Sequence, residues 1–129
     1  MAQIRFTLPA KPVAPSIARG TLDPLQNRLS ADGYYTVQLL VTELITNSLR
    51  HARFEREDAI DIQIDVGSER THVTVCDPGG GAEPKLLEQD LESTGGRGLF
   101  LVDAMADRWG VHTNDRTCVW FEVHKNSQS

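Results

Sequence analysis

The sequence predicts an α+β fold, a two-layer sandwich whose mixed, mostly antiparallel sheet is covered on one face by helices. Three observations lead there. Ile60, Ile62, Ile64 and Val66 alternate strictly with polar residues, and Val73 and Val75 resume the pattern, so the pair reads as a β-hairpin turning around Gly67–Arg70. Between Asp32 and about Ala52 the apolar residues Val37, Leu40, Val41, Leu44, Ile45 and Leu49 follow helical spacing, which predicts one long amphipathic helix with Asp32 as its N-cap. Val111–Thr113 and Thr117–Val123 then form a second strand pair.

The remaining elements fill the intervals. Gln3 to Leu8 reads as a strand with Ile4, Phe6 and Leu8 on one face. The proline-rich stretch from Ala10 to Pro15 is a connector. Ser16 to Leu29 has apolar residues at Ile17, Leu22, Leu25 and Leu29, although Gly20 and Pro24 weaken a helix there. Phe54 to Asp58 is a charged loop, and Lys85–Leu91 offers one short helical stretch before the glycine-rich Ser93–Gly98. Leu99–Ala106 is a helix by apolar content, with Trp109–Gly110 as its exit. The predicted order is β-α-α-β-β-lid-α-β-β.

A chain of 129 residues fits one domain, residues 1–129. Its hydrophobic share of 40% and charged share of 24% are those of a globular protein. The net charge of -5 argues against a general binder of nucleic acid or of acidic membranes, since both repel an acidic surface. No apolar run approaches the ~20 residues that span a bilayer, and Met1–Leu8 lacks a signal-peptide core, so the expected location is cytoplasmic. Cys76 and Cys118 each sit in a strand-like run and are expected as reduced thiols in or near the core.

Three clusters carry chemistry. On the long helix, Glu43, Asn47 and Arg50 share a stripe beside the apolar one. A carboxylate and an amide at a helix's buried edge suit a divalent cation or a proton acceptor for a nucleophile; the same spacing also describes any solvated helix edge. Asp77-Pro78-Gly79-Gly80-Gly81 follows a strand directly. Its glycines allow positive φ and close approach of a flat ligand, and Asp77 could accept from an exocyclic amine; a plain tight turn is the alternative. Gly95-Gly96-Arg97-Gly98 runs into the Leu99 helix, where free N–H groups and the helix dipole suit phosphate, with Arg97 adding positive charge. No strand immediately precedes it, which excludes a Rossmann reading and leaves a flexible hinge as the alternative.

In order along the chain, the clusters resemble the three boxes of the GHKL, or Bergerat-fold, ATPases. ELITNSLRHA (Glu43–Ala52) is similar to their N-box, DPGGG to their Asp-x-Gly-x-Gly adenine box, and GGRGL (Gly95–Leu99) to their second glycine box. Within that family the chain looks most like the bacterial anti-sigma factor serine kinases, single short domains with a brief lid, and RTCVWFEV is similar to their closing strand. The resemblance implies ATP and Mg²⁺ as cofactors. It assigns Asn47 to Mg²⁺ and Glu43 as general base toward a partner serine. Asp77 would receive the adenine amino group, with Gly79 and Gly81 letting the base approach. Gly95, Gly96 and Gly98, with Arg97 and the following Leu99, would hold the phosphates. Thr117 falls near the adenine, though Asp115-Arg116 stand before it where the family carries glycines. Arg50 would reach phosphate or remain a surface charge. The implied partners are a sigma factor and an anti-sigma factor antagonist, with no nucleic acid and no membrane, and relatives often form homodimers.

Other residues carry less. His72, His112 and His124 lie on separate strands without ligand spacing, His51 reads as a packing or hydrogen-bonding residue, Trp109 and Trp120 as core or sheet-face packing, and Tyr34-Tyr35 as a cover for the start of the long helix. A non-catalytic, ATP-dependent protein-binding module is the second reading. The detached catalytic domain of a histidine kinase ranks last, given the short lid of Ala82–Thr94 and the lack of a phospho-accepting histidine on a dimerisation helix pair. Gyrase-like ATPases need further domains.

Overall fold

A computed structural model describes residues 2–55, 58–79 and 97–124. The elements follow the predicted order: β1 (Ala2–Pro9), α1 (Ala14–Thr21), a 3₁₀ turn (Asp23–Asn27), α2 (Ala31–His51), β2 (Ala59–Val66), β3 (Arg70–Asp77), α3 (Arg97–Met105), β4 (Arg108–Thr113) and β5 (Thr117–His124). The strands lie in the order β1-β2-β3-β5-β4, and among the described residues every pairing is antiparallel, the limiting case of the mixed, mostly antiparallel sheet expected.

The alternation in β2 and β3 does what period 2 requires. Ile60, Ile62, Ile64 and Val66 on β2, Val73 and Val75 on β3, and Val119, Phe121 and Val123 on β5 all point to one buried face. Against that face lies the apolar side of α2, with Val37, Leu40, Val41, Leu44 and Ile45 each at most 1% exposed. Burying a side chain of that size contributes roughly 1.5–3 kcal/mol, so these five residues hold the helix layer firmly on the sheet. Leu99 and Val102 of α3 complete the core.

Several boundaries differ from expectation for local reasons. Helix α2 is capped by Ser30, whose Oγ accepts from the Gly33 amide at 3.0 Å, rather than by Asp32. Asp32 instead lies in the first turn, where its charge complements the helix dipole. The prolines of the first helical region start elements rather than break them: Pro15 opens α1 and Pro24 opens the 3₁₀ turn, positions that need no amide donor. Tyr34 packs on the core, whereas Tyr35 is 57% exposed and is not part of that packing. Strand β4 begins earlier than predicted and takes in Trp109 and Gly110, which pair with Phe121 and Trp120. Gly110 is needed there, because a Cβ would lie 2.6 Å from Trp120 Nε1.

The expectation of two reduced thiols is overturned. Antiparallel register sets Cys76 directly opposite Cys118, and the two are joined in a disulfide between β3 and β5. Both side chains lie on the half-buried outer face of the sheet, opposite the helices, and among the described residues no free cysteine remains.

Candidate functional site

The last turns of α2 face the ends of β3 and β5 across a solvent-open cleft. Helix α2 contributes Leu44, Asn47, Ser48 and His51; β3 and its exit contribute Val75, Asp77 and Gly79; β5 contributes Thr117 and Val119. The spacing explains the helix wall: positions three and four apart share one stripe, so the face that buries Leu44 turns Asn47, Ser48 and His51 toward the sheet end.

Asp77 sits at the floor, 7% exposed, as the last residue of β3 and opposite Thr117 of β5. Its carboxylate is held on both oxygens. Oδ1 accepts from the Gly79 amide at 2.7 Å, and Oδ2 accepts from the Ser48 hydroxyl at 2.6 Å. Gly79 has φ 77°, the left-handed region that glycine enters without a Cβ penalty. Added bulk there would meet Thr117 Oγ1 at 2.9 Å. The Gly79 carbonyl in turn accepts from the Arg53 amide just past α2, at 2.9 Å. The end of α2 therefore clamps the β3 exit at two points. Asn47 is 8% exposed, and its Oδ1 has no hydrogen-bond partner among the described residues. A buried oxygen left unpaired costs about 1–3 kcal/mol unless a ligand satisfies it.

The structure thus brings together Asn47, Asp77, Gly79 and Thr117 from the predicted set. Glu43 is half-buried and Arg50 exposed, and neither lines the cleft. His51, expected to pack or hydrogen-bond, is exposed on the cleft wall. Leu99 is buried in the core at 1% exposure, inside the first turns of α3. Arg97 and Gly98 begin α3. Gly81, Gly95 and Gly96, the lid from Ala82 to Thr94 and the short helical stretch Lys85–Leu91 lie outside the described residues.

Ser48 escaped the sequence reading. A signal was present: Val37, Val41, Leu44 and Ser48 follow the spacing of one apolar stripe, so a hydroxyl at that position is buried and needs a partner. The outer sheet face is chemically separate from the cleft. There Glu122 meets His72 Nδ1 at 2.8 Å and Arg70 at 3.3 Å. The His72 hydrogen bond, and then the nearby Arg108 charge, hold its carboxyl below the usual glutamate value against an opposing effect of burial. Trp120 stacks on His72 with ring centroids 5.3 Å apart, which is sheet-face packing as expected.

This cleft sets a doubly held aspartate, a left-handed glycine and a buried asparagine oxygen between a helix and an antiparallel sheet end. The Histidine kinase-like ATPase domain family matches residues 8–123, and the chain belongs to it. Among individual proteins, it is 27% identical to the serine-protein kinase RsbW of Bacillus velezensis, over 97% of this chain and 87% of that protein. It is 26% identical to the serine-protein kinase RsbW of Bacillus subtilis, with the same coverage. A solved structure of the RsbU and RsbW domains of a Mycobacterium tuberculosis protein shares the fold with TM-score 0.71 at 14% identity, covering 95% of this chain and 32% of that one. The histidine kinase domain of a blue-light activated histidine kinase from Erythrobacter litoralis superposes with TM-score 0.54 at 27% identity, covering 72% of this chain and 45% of that one. No helix among the described residues is long and apolar enough to cross a membrane.

Proposed function

We propose that this chain is a cytoplasmic, single-domain serine/threonine-protein kinase that binds Mg-ATP, phosphorylates an anti-sigma factor antagonist and holds a sigma factor. The observation that carries the reading is the Asp77 carboxylate, buried in the cleft and held by Ser48 and Gly79, beside an Asn47 Oδ1 that has no partner among the described residues. The named kinase activity of the RsbW relatives and the resemblance of the three boxes support the transfer step and the partners.

In this reading the adenine amino group donates to Asp77, and Gly79 keeps the backbone low enough for the ring to approach. The residues fit a hard cation: Asn47 Oδ1 is a neutral oxygen without a partner among the described residues, and Mg²⁺ takes few protein ligands alongside phosphate oxygens and water. Among the described residues no cluster of three acidic, histidine or cysteine side chains competes for that role. Bound there, Mg²⁺ would offset negative charge on the phosphates. The Arg97–Gly98 start of α3 lends its N–H groups to the phosphate end. Glu43, one turn before Asn47, takes the proton of the incoming serine hydroxyl. That oxygen bonds to the γ-phosphorus as the bond to the β-phosphate oxygen breaks, and ADP leaves.

The test is transfer of labelled phosphate from ATP to a purified antagonist. Glu43→Ala is expected to lower transfer about 100-fold or more, the usual contribution of a general base, with ATP binding retained. Undiminished transfer would remove Glu43 from the chemistry. ATP binding with no transfer to any antagonist would instead favour a nucleotide-dependent binding module.

A further inference from the structure

We propose that Ser48 selects the base, fixing the Asp77 carboxylate in the one orientation that accepts a 6-aminopurine and rejects a 6-oxopurine; this rests on the adenine reading of the cleft. Ser48 is 8% exposed and Asp77 7%, and their 2.6 Å hydrogen bond joins residues 29 apart in sequence. The terminal torsion of an aspartate is intrinsically broad, so a lone carboxylate at a strand end would swing between base edges. Here it cannot. The Gly79 amide occupies Oδ1 and the Ser48 hydroxyl Oδ2, so the plane of the group is set from two elements, the β3 exit and α2. Each carboxylate oxygen accepts more than one hydrogen bond, which leaves acceptor capacity free for the ligand.

An adenine amino group donates to such an acceptor, whereas guanine presents its O6 acceptor at the same place. Guanine could still be read by a carboxylate that turned to meet its other, donating edge. Ser48 blocks that turn. Mispairing a buried polar group in a site built for its complement is what gives large discrimination. The hydroxyl of Ser48 is spent on Asp77, so its role is positional.

The experiment is calorimetric titration of the full chain with Mg-ATP and with Mg-GTP. Ser48→Ala is expected to weaken ATP binding about tenfold, the scale of one hydrogen bond to a charged group, and to narrow the ATP-over-GTP preference by a similar factor. Ser48→Thr against Ser48→Val, alike in shape and differing in the hydroxyl, repeats the comparison with packing held constant. Thr should keep the preference and Val lose it. An unchanged preference in Ser48→Ala, or equal preference in Thr and Val, overturns the proposal even if melting temperatures shift. The base reading itself is tested separately by Asp77→Asn: unaltered ATP affinity there would remove both the adenine assignment and the role of Ser48.

Discussion

Gly79 shows how a single residue ties backbone geometry to a site. Its φ of 77° lies in the left-handed region, and a Cβ at that position would meet Thr117 Oγ1 at 2.9 Å. Gly79→Ala must bear the left-handed penalty of about 1–2 kcal/mol or move the β3 exit, which loosens the Gly79 amide from Asp77. The expected result is a lower melting temperature together with weaker ATP binding, read by thermal denaturation and titration; retained affinity at lowered stability would separate the turn from the site. At this scale the sequence was informative wherever chemistry is local. Asp77 and Gly79 were readable because the Asp-x-Gly turn is contiguous, and Asn47 because its helical position is periodic. Of the stripe Glu43, Asn47 and Arg50, only Asn47 lines the cleft, whose helix wall is the neighbouring stripe of Leu44, Asn47, Ser48 and His51. The burial of Ser48 was legible from its stripe, but its partner was not, because Asp77 lies 29 residues away in sequence.

Elements obey the same division. Helix α2 and the hairpin of β2 and β3 were legible from periodicity, since 3.6 and 2.0 repeats are local properties. The cap of α2 was misplaced by two residues because Ser30 and Asp32 are both good cap types, and the choice falls to the Gly33 amide that Ser30 meets. The disulfide could not be read at all. Its formation depends on the register of β3 against β5, which puts Cys76 opposite Cys118 one step before Asp77 meets Thr117. The bond therefore ties together the two strands that floor the cleft. Thiol titration of the denatured, unreduced chain should find no free cysteine, and Cys118→Ser should lower stability by about 2–4 kcal/mol, the usual range for a bridge closing a loop of this length. Two reactive thiols in that titration would contradict the pairing.

For the whole molecule, the decisive feature is how topology assembles distant segments. The order β1-β2-β3-β5-β4 makes β3 and β5 neighbours although α3 and β4 intervene in sequence, and α2 lies across them. That arrangement puts Asn47, Asp77 and Thr117 around one cleft. The order of the three boxes hinted at it, and the match to the Histidine kinase-like ATPase domain family over residues 8–123 agrees. The central claim is that this cleft receives the adenine of ATP on the carboxylate of Asp77. Titration of Mg-ATP into the chain and into Asp77→Asn tests it most directly, because the substitution keeps size while presenting an amide that either mispairs with the base or breaks with Ser48 and Gly79. Saturable binding to the parent chain and a loss of about tenfold to 100-fold in the variant are expected; equal affinity in the two would contradict adenine recognition by Asp77.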